Sequence, residues 1–202
     1  MPVCAPPDQQ SDIPCLVVSY WLDRDDRIVQ VNPLWDQFAL ANGGEKQLLS
    51  SEIQGRRVFD FITGDQTRMY LEALLQHVRF LHRTLSRSYR CDSPTLKRFM
   101  SMSLTPAEQG LVKLDHTLLK SEPFQQPVIY RYEPDLQAST LPRCSVCTRL
   151  LIKGNWLAPE DAETLGFITH GTPLPVHYRI CPTCKRTSST PAIPLPPKTL
   201  PD

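Results

Sequence analysis

Four of the seven cysteines in this 202-residue chain fall in two pairs near its C-terminal end. Cys144-Ser145-Val146-Cys147 and Cys181-Pro182-Thr183-Cys184 each hold two thiols two residues apart, with 33 residues between the pairs. One tight turn can then aim two sulfurs at one ion, and two such turns close the tetrahedral shell that Zn²⁺ prefers. A shell closed by four protein ligands leaves no position for a substrate. The expectation is a structural zinc site at Cys144, Cys147, Cys181 and Cys184. Thiol redox exchange and an iron–sulfur cluster use the same residues, so zinc versus iron stays open at this stage. No βαβ pattern surrounds Cys-Pro-Thr-Cys, which weighs against exchange.

Other chemistry finds little support. There is no Gly-rich phosphate loop, no His-Glu-x-x-His and no Gly-x-Ser-x-Gly, and no spacing pairs two carboxylates; no enzyme is expected. Lys and Arg number 22 against 21 Asp and Glu, so no overall field draws the chain to nucleic acid or an anionic membrane. No apolar run approaches the ~20 residues of a membrane helix. Residues 1–15 have neither a basic nor an apolar stretch, so no secretory leader is expected. With Cys4, Cys15 and Cys91 scattered, a disulfide framework is not expected either, and a reducing cytoplasm fits.

The elements that must position these groups follow from pattern. Prolines at 2, 6, 7 and 14 interrupt a polar stretch, so residues 1–15 read as disordered. Leu16 to Leu22 and Ile28 to Val31 read as a hairpin around Asp23-Arg24-Asp25-Asp26-Arg27. Asn32-Pro33 predicts a helix start, with Asn32 as cap, and Gly43-Gly44 its end. Thr63-Gly64-Asp65-Gln66 fits a capping box opening a helix whose apolar stripe is Leu71, Leu74, Leu75, Val78, Leu81 and Leu85. Arg68, Glu72, Gln76, Arg79 and Arg83 lie off that stripe and should be solvated. Strands are predicted near Thr84–Cys91, Lys97–Leu104 and Leu111–Leu119. The fold class is therefore α+β: a five-stranded antiparallel sheet with helices on one face, plus a small zinc-stabilised module. The divisions are 16–120 for the sheet domain, 121–142 for a linker with one extended piece at Val128–Tyr132, 143–186 for the cysteine module and 187–202 for a disordered Pro-rich tail. Within the module, Leu150-Leu151-Ile152 reads as a strand, Gly154-Asn155 as a turn and the residues after Pro159 as a short helix.

Tyr20-Trp21-Leu22-Asp23, Arg27-Ile28-Val29, Val31-Asn32 and Trp35-Asp36-Gln37-Phe38-Ala39 resemble the opening of a PAS domain. Gly55-Arg56, Phe59-Asp60-Phe61-Ile62 and Gly64-Asp65 resemble the family's middle. Tyr89 to Pro94 and Phe99 to Met102, followed by the segment 144–184, are similar to a group of bacterial PAS proteins that end in a Cys-x-x-Cys, a Trp, a helix and an Ile-Cys-Pro-x-Cys. Such relatives often carry Ser-His-Gly before the last pair. Here the stretch is His177-Tyr178-Arg179, so His177 is not carried over as a ligand. The resemblance implies a PAS-like sensor or adaptor in bacterial signal transduction. It implies a small ligand, of unknown identity, between sheet and helices, or a partner that is another signalling protein or a second copy.

Trp35, Phe38, Val78 and His82 are the candidates to line the cleft, His82 also as an axial haem ligand. Core packing is the alternative for Trp35 and Phe38, and a hydrogen-bonded core edge for His82 and His77. Cys91 reads as a buried strand residue. Arg79, Arg83, Arg87, Arg90, Lys97 and Arg98, with Lys185-Arg186, form a local basic excess. A solvated face is its plain reading. The alternative functions are a nucleic-acid-binding, zinc-ribbon-like regulator or a thiol redox protein.

Overall fold

The structure is a computed structural model and describes residues 17–188 other than 43, 136, 138 and 170. Cys4, Cys15, the N-terminal stretch and most of the Pro-rich tail lie outside the described residues.

The first layer is a five-stranded antiparallel sheet. Its strands are β1 (Val17–Leu22), β2 (Ile28–Val31), β3 (Leu85–Arg90), β4 (Leu96–Pro106) and β5 (Val112–Pro123), in the order β2-β1-β5-β4-β3. Helices α1 (Leu34–Ala41), α2 (Ser50–Ile53) and α3 (Asp65–Leu81) connect β2 to β3. They supply Ile53, Leu71, Leu74, Leu75 and Val78 to a core that includes Leu22, Leu104 and Leu114 of the sheet. Alternation explains the layer: in β5, Val112 and Leu114 point into the core while Lys113 and Asp115 sit on the other side and form an ion pair at 2.8 Å. The domain is α+β and PAS-like, with its helices over one sheet face.

Helix ends depart from the expected caps. Asn32 does not cap α1. Pro33 takes that position, and Asn32 Nδ2 donates to the Val17 carbonyl at 2.7 Å, tying β1 to the helix start. Asn42 ends α1, and the Gly44 N–H bonds back to the Ala39 carbonyl at 2.8 Å. A Cβ on Gly44 would lie 2.7 Å from that oxygen, so only glycine fits. The capping box at Thr63 does not form either. Gly64 caps α3 at φ 87, and Gln66 Oε1 accepts a bond from the Ile180 N–H at 3.2 Å instead. At the other end α3 stops at Leu81, with His82 left-handed at φ 50, so Leu85 belongs to β3 and Leu81 is exposed. Arg79, expected in solvent, is largely covered: it pairs with Asp26 at 2.8 Å and donates to the Asp23 carbonyl at 2.7 Å.

A second sheet contains β6 (Tyr130–Tyr132), β7 (Leu141–Cys144), β8 (Leu150–Ile152), β9 (Asn155–Leu157) and β10 (Leu174–Arg179), in the order β6-β10-β7-β8-β9. β10 runs parallel to both β6 and β7. Helices α4 (Pro159–Thr164) and α5 (Pro182–Ser188) complete it, α5 extending two residues past the expected start of the tail. The segment 121–142, expected as a linker, is built into the structure. It carries the end of β5, all of β6 and the start of β7, and Phe124 and Val128 are buried in the second core.

Candidate metal centre and adjoining cleft

Cys144 closes β7, and its carbonyl accepts the Thr148 N–H at 2.9 Å, which folds 144–148 into a tight turn toward β8. Cys181 follows β10, and Cys184 lies in α5. Since β10 pairs with β7 up to Arg179 opposite Cys144, the register brings the two pairs together. The four sulfurs all lie within 4.8 Å of one another, and Cys147 Sγ and Cys181 Sγ are 3.8 Å apart. Four thiolates at ~2.3 Å from one Zn²⁺ stand about 3.8 Å apart. Backbone N–H groups also point at sulfur: Cys181 N–H at Cys144 Sγ and Cys184 N–H at Cys181 Sγ, both 3.4 Å.

The cluster's electrostatics fit a cation. Hydrogen bonds from Cys147 and Cys184 pull the Cys144 thiol far below its ordinary value. The same contact with Cys144 pushes Cys147 up to about 11 and raises Cys184 as well. Metal ligation requires thiolates, so a dication bound among these packed thiols would displace protons from them. Cys144, Cys181 and Cys184 are buried and Cys147 is half-buried. Cys144, Cys147, Cys181 and Cys184 can together hold a metal ion. His177 is not among them; its Nδ1 lies 3.1 Å from the Glu133 carbonyl.

The cluster abuts the first domain. Tyr70 of α3 packs against the cysteines together with Val146 and Trp156. Thr67 Oγ1 and Ser145 Oγ are 2.5 Å apart, and the Arg90 N–H donates to the Val146 carbonyl at 2.8 Å. Gly64 comes so close to β10 that a Cβ there would sit 3.0 Å from the Tyr178 Cβ.

Beside these contacts lies a cavity of about 560 Å³ between sheet and helices. Tyr20, Met102 and His116 form part of its floor, and Trp35, Phe38 and Tyr70 part of its helical side. Ser145 and Val146, the two residues inside the first cysteine pair, close one wall. Trp35 is fixed by its Nε1 donating to the Leu48 carbonyl at 2.9 Å. His116 stacks on Tyr20 at 5.5 Å and meets the Tyr89 hydroxyl at 2.8 Å through Nδ1. Burial lowers His116 to about 4 and raises Tyr20 and Tyr89 above the ordinary phenol range. Burial likewise raises the thiol of Cys91, which also lines the cavity.

Of the residues expected to line the cleft, Trp35 and Phe38 do so. Val78 is fully buried in the core and does not reach the cavity surface. His82 is exposed at the end of α3, outside the cavity, so it is not placed to be the axial haem ligand expected of it. Tyr70, Arg87, Tyr89 and His116 were not foreseen as lining residues. Their signal was register: each polar group occupies a position where alternation or the helical stripe calls for an apolar one.

No protein-family model matches the sequence, and no curated protein matches it. The solved structures similar to it include a domain of an HTR-like protein from Haloarcula marismortui ATCC 43049. That similarity has 13% identity and a TM-score of 0.39, over 52% of this chain and 98% of that one. The PAS-like description rests on the strand order and the helix-covered face. No helix among the described residues is long and apolar enough to cross a membrane.

Proposed function

We propose that this chain is a PAS-type sensor or adaptor in bacterial cytoplasmic signalling, without a catalytic step of its own. Its cleft takes a small ligand, its four cysteines hold structural zinc, and a signalling protein or a second copy receives the output. The observation that carries this reading is the shared turn: Ser145 and Val146 are both cavity wall and the interior of a cysteine pair. A ligand that presses on that wall acts on a turn whose ends are fixed by metal. By linkage, ligand and metal then each alter the other's affinity.

Several of the arginines that a nucleic-acid reading would use are engaged within the fold. Arg79 pairs with Asp26, Arg90 with Asp92 and Glu160, and Arg98 donates to the Cys91 carbonyl at 2.8 Å. Burial of three of the four thiols supports structure over thiol exchange.

Purified protein should contain about one equivalent of zinc. Less than half an equivalent, or a brown iron chromophore, would sink the metal assignment. Sensing is tested separately by hydrogen exchange of 144–148 with and without a cleft-binding small molecule. Unchanged exchange at saturation would sink the coupling.

A further inference from the structure

β3 alternates Leu85, Arg87 and Tyr89 with Ser86 and Ser88. Leu85 is in the core and Tyr89 on the cavity, so Arg87 occupies an inward position on the helix-covered face. The register confirms it: Arg87 pairs with Met102, Met102 with His116 and His116 with Val18, and all four line the cavity. A guanidinium facing inward among such neighbours needs a reason, because an apolar residue would pack there without desolvating a charge.

The wall has 24 residues among those described, and none is Asp, Glu or Lys. His116 remains neutral at pH 7 because burial lowers it to about 4. Arg87 therefore sets the charge of the wall. Its guanidinium is hydrogen-bonded with the Tyr70 hydroxyl, and Thr67, one helical turn before Tyr70, adds a hydroxyl to the same wall. The other surfaces are largely apolar or aromatic, including Trp35, Phe38, Phe61 and Met100. The volume, about 560 Å³, falls in the range of small-molecule sites.

We infer that the cavity binds an apolar monocarboxylic acid, alkyl or aryl, with its carboxylate at Arg87 and Tyr70 and its tail toward Trp35 and Phe38. This rests on the cleft being a ligand site. Arg87 Nη1 donates to the Ser86 carbonyl at 2.7 Å, and the single positive charge of the guanidinium matches one carboxylate. A dianion would leave a charge unmatched in an apolar wall, and an ammonium would face the guanidinium directly.

The test uses the full zinc-containing chain and calorimetry with matched probes: decanoate against decanol, and 3-phenylpropanoate against 3-phenylpropanol and 3-phenylpropylamine. At least one acid should bind about tenfold tighter than its alcohol, as a charge-assisted hydrogen bond gives, and the amine should bind weakest. Arg87→Met should remove the acid preference while leaving alcohol affinity within about threefold, and Arg87→Lys, which keeps the charge but not the planar fork, should retain only part of the preference. Far-UV circular dichroism and a cooperative melting transition show whether each variant keeps its fold. Where Arg87→Met does not fold, the amine series on the native chain decides. Alcohols binding as tightly as acids, or amines as tightly as either, would overturn the inference and leave the cleft reading intact. No binding by any probe class would overturn both.

Discussion

Arg90, at the end of β3, reaches Glu160, in the first turn of α4, through Nη1 contacts of 2.9 and 3.2 Å to its two carboxylate oxygens. Its Nε and Nη2 hold Asp92 at 3.1 and 2.8 Å, and the Asp92 side chain is 1% exposed. One guanidinium thus ties the β3–β4 hairpin to the cysteine module. Arg90→Leu should destabilise the protein by about 3 kcal/mol, because it strands a buried carboxylate. Glu160→Gln should cost about 1 kcal/mol, since that side chain is 29% exposed and keeps its shape. Urea unfolding of both variants checks the order; equal losses would contradict it.

Acid should weaken the fold through His116. Its folded value, about 4, lies below the ordinary 6.5, so between those values the unfolded chain binds more protons. This contribution is complete above pH 6.5, declines as the pH falls and is gone by about pH 4, with at most about 3 kcal/mol at stake. His116→Phe should be less stable than the native chain at pH 7, where Tyr89 loses its partner, and should lose less on acidification. Parallel stability–pH curves for the two proteins would refute the assignment.

Thr148 is β-branched, 2% exposed and held at φ 62 in the turn after the first cysteine pair. A left-handed conformation costs a residue with a Cβ roughly 1–2 kcal/mol, and a branched one is less at ease still. Thr148→Gly should raise stability by about 1 kcal/mol after the entropy of the extra glycine is counted. A rise in melting temperature with unchanged metal content is the expected readout.

Cys181→Ser should release the metal and loosen the module, with hydrogen-exchange protection falling across 141–184. The β1–β5 pairs should stay protected, because Leu22, Leu104 and Leu114 belong to a separate core. Exchange should rise locally at Thr67 and Arg90, which bond to the first cysteine turn. Equal loss of protection in both sheets would show one cooperative unit instead.

The readable parts of the sequence were those governed by local rules. Alternation placed β3, β4 and β5 within a few residues, and Cys-x-x-Cys spacing named a cluster whose sulfurs meet. What escaped was set by distant neighbours. β10 was not foreseen because Pro173 and Pro175 mask its pattern, yet its pairing lies with β6 and β7, far away in sequence. Gln66 looked like a cap but serves Ile180, 114 residues on. Arg79 looked solvated until Asp26 faced it. The Pro-rich stretch 121–142 looked like a linker because its burial depends on a sheet that forms around it.

The second sheet is completed by insertion. β10, the interior strand between β6 and β7, comes last of its five in the chain, so β6 and β7 have no common partner until residues 174–179 have been made. On a ribosome adding about 5–20 residues per second, the first sheet can close while β6, β7 and the first cysteine pair wait in the open. For those seconds Cys144 and Cys147 are an incomplete chelate. The order of synthesis therefore makes arrival of β10, which carries the second pair behind it, the step that commits both sheet and metal site at once.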